Sequence, residues 1–295
     1  MHIPVLKKEV LEYLDPQRNE NFIDCTLGEG GHAFAVLERT GPKGKVLAVD
    51  ATRCLVDKFK KKIGNGKISK RLVPVCSSFN ELEKIVEEKD FKDIKGILFD
   101  LGMSSWHIEE SKRGFSFMAN EPLDMRYSLE NSLTAEKILN QYSLEEIKKI
   151  LKDYGEERFA ERIARQIVKE RKTKPFGTTF ELREAIRRAT PYHYHRRKIH
   201  FATRTFQALR IAVNDELNKI KQALTQSFKV LSPGGRVVVI SFHSLEDRIV
   251  KNLFKEQSKE GFFKILTKKP IRPLQEEIES NRRARSAKLR AILKI

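Results

Sequence analysis

The sequence predicts an α/β fold, a doubly wound parallel sheet interrupted by an inserted helical domain, on three observations. Four short apolar runs, Phe22 to Leu27, Lys45 to Asp50, Arg71 to Cys76 and Ile94 to Gly102, alternate with helical segments in the order β-α-β-α-β-α-β. A glycine-rich turn, Gly28-Glu29-Gly30-Gly31, follows the first run directly. More than 130 residues then separate Gly102 from the next convincing strand, Gly235 to Phe242, although a crossover needs only one helix and two loops.

Taken in order, His2-Ile3-Pro4-Val5-Leu6 reads as a lead-in to a helix ending at Leu14. After the first strand, the glycines let the backbone take positive φ and approach a ligand that any Cβ would keep away. The helix that follows, to about Arg39, aims its N-terminal amides at that ligand. Gly41-Pro42-Lys43-Gly44 is a turn, and the second strand ends in Asp50, where a carboxylate can accept the hydroxyls of a ribose. A helix near 52–63 and the third strand precede Phe79, which is placed to cover an adenine ring or to fill core. A helix from Glu81 to Lys89 leads to the fourth strand, which ends in Asp100-Leu101-Gly102.

Helical periodicity then runs through Leu133 to Asn140, Leu144 to Lys152, Glu156 to Arg171 and Thr179 to Ala189. Residues 108–204 are therefore expected to form the insertion, with 1–107 and 205–295 forming the sheet domain. The amphipathic segment Thr205 to Leu231 supplies the crossover helix. Beyond it the sequence suggests a strand over Ser241 to Arg248 and a helix to about Lys259. Two further strands, near Phe263 to Thr267 and Ala287 to Leu293, are expected to pair as an antiparallel edge hairpin.

At 295 residues and 40% apolar content the chain can bury a large core. Cys25, Cys54 and Cys76 are odd in number and unclustered, which points to buried thiols in a reducing compartment rather than a disulfide frame or a zinc site. With no apolar leader and no run of membrane-span length, a cytoplasmic protein is expected. The net charge of +18 is uneven. Arg187 to Arg210 holds seven Lys/Arg and no acid, interleaved with Tyr192, Tyr194, Phe201, Phe206, His193, His195 and His200, and Asn281 to Ile295 holds six more without an acid. Cations among stacking side chains suit the phosphates and exposed bases of RNA.

The pattern Gly28-x-Gly30-x-x-Ala33 with Asp50 also fits a dinucleotide fingerprint. Asp24, four residues before the first glycine, decides between donors: it would repel a pyrophosphate but attract the ammonium and sulfonium of S-adenosylmethionine. A methyl donor is therefore preferred to NAD.

Several blocks extend this reading. His2-x-Pro4-Val5-Leu6, Asp24-x-Thr26-x-Gly28-x-Gly30-Gly31-His32, Asp100-Leu101-Gly102-x-Ser104-Ser105, Arg113-Gly114-Phe115-Ser116-Phe117 and Pro122-Leu123-Asp124-Met125-Arg126 come first. Phe206 to Ile211, Ser241 to Arg248 and Arg285 to Arg290 follow in order. Together the chain resembles the bacterial 16S rRNA (cytosine-N4)-methyltransferase family, RsmH, formerly MraW. The resemblance implies a class I, Rossmann-like methyltransferase with an inserted helical substrate domain. Its substrate would be one decoding-centre cytidine of small-subunit rRNA, free or within a 30S subunit. It also implies cofactor contacts from Gly30, Gly31, His32, Asp50, Phe79 and Asp100, to which the residues themselves add Asp24 and Gly28. His107 is a further contact, standing where the family usually has glutamine, with Trp106 in place of a usual proline.

The N4 amine of cytosine is a poor nucleophile because its lone pair is delocalised into the ring, so the reaction needs orientation, rehybridisation and loss of a proton. No metal is required, and no Cys or His cluster offers one. Asp100 is assigned orientation and electrostatics, on the expectation that a neighbouring sulfonium depresses its pKa. Ser104 or Ser105 could accept from N4–H, or could simply cap the next helix. Arg126 either pairs with Asp124 or meets phosphate. Arg196, Arg197 and Lys198 suit a phosphate-binding face, and His243 lies on the ligand side of the sheet. The rivals are a DNA amino-methyltransferase, whose usual proline-containing loop is missing after Asp100, and an inactive RNA-binding scaffold.

Overall fold

The computed structural model describes residues 4–64, 66 and 68–295, so His2 and Ile3 of the lead-in fall outside the described residues. The chain divides into two compact units: one runs to Gly102 and resumes at Leu217–Ile295, and the other is Met103–Glu216.

The first unit is built on a seven-stranded sheet. Its elements are α1 (Lys7–Leu14), β1 (Asn21–Asp24), α2 (Gly31–Arg39), β2 (Val46–Asp50), α3 (Arg53–Ile63), β3 (Leu72–Cys76), α4 (Leu82–Glu88) and β4 (Ile94–Asp100). The order is β3-β2-β1-β4, followed by three strands from the C-terminal part. β1 lies parallel to both β2 and β4, with Ile23 opposite Leu47 on one side and Ile97 on the other. The strand order reverses between β1 and β4, and ligands bind outside the carboxyl ends of strands at such a switch point. Alternate residues feed the two faces of the sheet. Phe22, Val46, Ala48, Leu98 and Ile240 pack with Val10, Val36 and Phe59, whereas Ile23, Leu47, Val49, Ile97 and Phe99 pack with other helices of the unit.

The second unit holds α5 (Ser105–Glu109), α6 (Ala135–Gln141), α7 (Leu144–Gly155), α8 (Ala160–Glu170), α9 (Thr179–Ala189), α10 (Tyr192–His195) and α11 (Thr203–Asn214). Ser143 with Glu146 and Thr178 with Glu181 form capping boxes that start α7 and α9. The core joins Ile138, Ile147, Leu151, Ile163, Ile167, Leu182, Ile186 and Leu209, the last from α11. Gly155 lets α7 approach α11 closely, since a Cβ there would sit 2.6 Å from the Arg204 carbonyl oxygen.

The remaining elements are α12 (Glu216–Val230), β5 (Arg236–Ser241), α13 (Ser244–Lys259), β6 (Phe263–Ile265), α14 (Gln275–Ser280) and β7 (Lys288–Lys294). β5 lies parallel to β4, and β7 runs antiparallel between β5 and β6. Ile220, Leu224 and Phe228 of α12 and Phe254 of α13 cover the second face of the sheet.

Local chemistry moved several boundaries. β1 stops at Asp24 rather than Leu27, because the Asp24 carboxylate folds back to accept the Thr26 N–H at 3.0 Å, an Asx turn that ends the extended run. The crossover segment is two helices, broken where Asp215 takes φ 51° after Asn214. The Asn214 amide donates to the Met125 and Arg210 carbonyls, and α11 packs on α6 and α7 of the second unit. No strand spans Ser241 to Arg248: β5 ends at Ser241 and α13 begins at Ser244. Cys25, one residue past the end of β1, is buried as expected, but Cys54 on α3 is exposed and Cys76 at the end of β3 is half-buried.

Candidate active site

Three neighbouring strands of the first unit end in aspartates: Asp24 on β1, Asp50 on β2 and Asp100 on β4. Apolar runs carry each strand through the core, and the acid comes where the strand leaves it. Thr26 ties two of these ends together. Its hydroxyl oxygen accepts the Asp100 backbone N–H at 2.7 Å, and the hydroxyl donates to Asp24 Oδ1 at 3.4 Å. Asp24 is only 3% exposed. Burial, with a contribution from Asp50, raises its pKa to about 6 against the lowering effect of the Thr26 hydrogen bonds.

Asp100 is perturbed further than Asp24. Burial first, then the charges of Asp24 and Glu246, push it up to about 8. Its Oδ2 lies 3.7 Å from His32 Nε2, and its Oδ1 is buried with no hydrogen-bond partner. The sequence reading expected a depressed value beside a sulfonium; in the protein alone the neighbouring acids act in the opposite direction. A cation placed among them reverses the shift.

Asp50 accepts the Gly28 N–H at 2.9 Å on Oδ2 and the Thr52 N–H at 2.8 Å on Oδ1. Burial nevertheless raises its pKa above the usual carboxylate value. Each oxygen keeps a second lone pair for a hydroxyl donor. The glycine turn is explained differently from the sequence expectation. Gly30 has φ 82°, and a Cβ on it would lie 2.1 Å from the Phe59 ring, while one on Gly31 would lie 2.3 Å from Pro4. These two glycines are required by close packing of the turn against its own protein. Phe79 is half-buried and meets Phe99 edge-on with centroids 6.1 Å apart.

His243 is the N-cap of α13. Its ring accepts the Glu246 N–H at 3.4 Å, and Glu246 Oε2 accepts the Phe242 and His243 N–H groups at 2.8 and 3.2 Å. Nε2 of His243 stands 3.1 Å from Glu246 Oε1. The histidine thus has a demonstrable capping task at the carboxyl edge of the sheet.

In the second unit, Ser104 occupies the N-cap of α5 without a side-chain cap bond. Its Oγ instead meets His107 Nδ1 at 2.8 Å. The His107 ring is 5% exposed and lies among Trp106, Phe115 and Tyr127, with centroids 5.4, 5.2 and 4.9 Å away. Burial, followed by the charges of Arg113 and Arg210, lowers its pKa to about 3. His107, read from the resemblance as a cofactor contact, here has its Nδ1 engaged by a serine of its own unit. Ser105 is the first residue of α5.

Arg126 is held within the unit. Nε and Nη2 bind the two Asp124 oxygens at 2.8 Å each, and Nη1 donates to the Asn131 carbonyl at 2.7 Å. That geometry makes it a strut for its loop rather than an open phosphate ligand. Arg196, Arg197 and Lys198 are exposed. Arg196 lies over the exposed Tyr192 ring at 4.6 Å and Arg197 over the buried Tyr194 ring at 5.4 Å, so both guanidinium groups are held by cation–π contact.

Sequence reasoning passed over Thr26, Glu246 and Phe59 as site residues. Thr26 stands inside the Asp24-x-Thr26 block, and Glu246 follows His243 by the three residues of a capping box, so both carried a readable signal. Phe59 carried none, because only the folded turn brings it to Gly30.

With the geometry in place, comparison with known proteins is informative. Ribosomal RNA small subunit methyltransferase H of Thermotoga neapolitana is 46% identical over 293 residues, covering 98% of this chain and 95% of that protein. The protein of the same name from Halothermothrix orenii is 44% identical over 304 residues, covering 98% and 97%. A match to the MraW methylase family spans residues 1–295, and the chain belongs to that family.

Proposed function

We propose that this protein transfers a methyl group from S-adenosylmethionine to the exocyclic N4 amine of a decoding-centre cytidine in small-subunit rRNA. The observation that carries the reading is the set of three strand-end carboxylates, two of them raised to about 6 and about 8 by burial and mutual repulsion. Such a cluster is poorly satisfied by the protein alone and is completed by a cationic ligand. The residues fit the donor: Asp24 and Asp100 answer its positive charges, with the buried unpartnered Oδ1 of Asp100 as an acceptor for its ammonium. Asp50 takes the ribose hydroxyls on its remaining lone pairs. Phe79 offers a ring face or edge to the adenine. S-adenosylmethionine supplies, when bound, a methyl group already activated as a sulfonium substituent.

The protein's own contribution is to bind, orient and manage protons. Asp100 holds charge where a cation must sit, and the main-chain amides of the glycine turn and α2 add fixed dipoles. The second unit, Met103–Glu216, is assigned to RNA. Its Arg196, Arg197 and Lys198 meet phosphate, and the exposed Tyr192 ring suits an unpaired base. Small-subunit rRNA as the substrate rests on family membership and on relatives named for that activity. The N4 position of cytidine rests on the sequence blocks given above.

The test is nucleoside analysis by mass spectrometry of small-subunit rRNA incubated with the protein and S-adenosylmethionine. Appearance of N4-methylcytidine is expected. A methylated nucleoside of another kind would overturn the position assigned, and an unchanged nucleoside profile would overturn the activity.

A further inference from the structure

Of the two acid-free basic stretches, the one from Asn281 to Ile295 has no part in the reading above. Three of its six cations have tasks inside the protein. Lys288 and Arg290 pair with Asp247 at 3.2 and 2.6 Å, and Lys294 Nζ donates to the Phe228 and Leu231 carbonyls at the end of α12. The other three, Arg282, Arg283 and Arg285, are exposed. We propose that they form, with Lys268, Lys269 and Arg272, a phosphate-binding surface on the first unit that holds the RNA backbone beside the nucleotide being methylated. The inference rests on the RNA methyltransferase reading above and adds to it a contact surface in the unit that carries the donor.

The arginines are displayed by a turn that the core pins down. Arg282–Ser286 is a stretch of 3-10 helix, entered by Asn281, whose Oδ1 accepts the Arg283 N–H at 3.2 Å. Ala284 and Ala287 are buried in the same core cluster as Leu6, Val10 and Leu289, so the residues around them turn outward. A cation on a fixed turn loses less freedom on meeting an anion than one on a loose loop. The second group is brought alongside by Ile271 and Leu289, whose N–H groups each donate to the other's carbonyl at 2.9 Å. Lys268, Lys269 and Arg272 flank this bridge, and all three are exposed. Among the described residues none of these three, nor Arg282 or Arg285, has a carboxylate partner.

Strand register places this surface beside the chemistry. Asp100 lies opposite Ile240 on β5, and Ile240 lies opposite Leu289 on β7. Two strand spacings, about 10 Å, therefore separate Asp100 from Leu289 along the carboxyl edge of the sheet. The N-terminal segment makes a second link: Glu277 Oε1 on α14 accepts the Leu6 N–H at 2.7 Å, and Pro4 packs on Gly31 of the glycine turn. Residues 268–288 hold seven Lys/Arg against three Glu. Glu277 is engaged at Leu6, and Glu279 Oε1 accepts the Gln275 side-chain amide at 2.9 Å. A net positive strip drawn from two segments suits a polyanion with phosphates in series better than a single small anion.

The experiment compares two edge variants of the full chain, Arg282→Ala/Arg285→Ala and Lys268→Ala/Lys269→Ala/Arg272→Ala, with a control. The control, Arg18→Ala/Lys43→Ala/Lys45→Ala, removes exposed cations at the amino ends of β1 and β2. In filter binding to small-subunit rRNA across a salt series, the slope of log K against log salt should fall by about 1.4 for the pair and about 2 for the triple, at roughly 0.7 per phosphate contact. The control should keep the wild-type slope. KM for rRNA should rise about tenfold in each edge variant, with kcat and calorimetric affinity for S-adenosylmethionine within about twofold, as when uniform binding is lost. An unchanged slope, an equal loss in the control, or a loss of S-adenosylmethionine affinity in the edge variants would each overturn the inference. So would edge variants that keep the rRNA slope but no longer bind phosphatidylglycerol vesicles, which would assign the surface to a membrane. Binding is read without methyl transfer, so a wild-type protein that shows the predicted slopes but methylates no nucleoside would support the surface and overturn the activity above.

Discussion

Asp100 shows how a residue can be legible in sequence while its chemistry is not. An acid ending an apolar run is visible at once, as are Asp24 and Asp50. What no single stretch shows is that Asp24 and Glu246 both act on Asp100, because one lies 76 positions before it and the other 146 after it. Their raised pKa values have a measurable sign. Unfolded, each aspartate loses its proton near 3.8; folded, Asp24 holds it to about 6 and Asp100 to about 8. Between those limits the folded state binds more protons, so the ligand-free protein should lose stability as pH rises from about 4 to about 8. Urea denaturation at pH 5, 6.5 and 8 checks this, and Asp100→Asn should flatten the upper part of the curve. Thr26 makes a second residue-scale case. Thr26→Val removes the acceptor for the buried Asp100 N–H and a donor to Asp24, which should lower stability by about 1–3 kcal/mol in chemical denaturation. Thr26→Ser should restore most of it.

At the scale of elements, the sequence showed the strands and most helices because their apolar periods are strong, and it misplaced the ends where a side chain takes over backbone hydrogen bonding. His243 was visible as a residue near a strand end, but its ring acts as a helix cap, a task usually left to Ser, Thr, Asp or Asn. That substitution hid the start of α13 and made a strand seem to continue. His243→Ala should destabilise the first unit by about 1 kcal/mol, read as a lower denaturation midpoint, whereas His243→Asn should hold it. The break between α11 and α12 was hidden for another reason. Asn214 and Asp215 interrupt an amphipathic pattern that continues on both sides, and only the Met125 carbonyl, 89 residues away, shows what the Asn214 amide is for. The glycine turn was correctly located but its glycines were credited to the ligand. Phe59 and Pro4 account for two of them.

For the whole molecule, the excess charge of +18 is the property most readily connected to a partner. The chain's two units divide the chemistry: the first carries the acidic strand ends, the second the exposed Arg196-Arg197-Lys198 run with its underlying tyrosines. Replacing those three cations with alanine should weaken RNA binding and reduce the slope of log K against log salt by about 2, at roughly 0.7 per phosphate contact with single-stranded RNA. Filter binding across a salt series checks it, and an unchanged slope would place the phosphate contacts elsewhere.

The central claim is that the carboxylates ending β1, β2 and β4 together receive the cationic methyl donor. Calorimetric titration with S-adenosylmethionine of the wild-type chain, Asp24→Ala and Asp50→Ala tests it most directly. One donor should bind per chain, with each variant at least about tenfold weaker, as expected when a charge-assisted contact of ~1.5–3 kcal/mol is removed. Absence of binding by the wild-type protein, or equal binding by all three, would contradict the account.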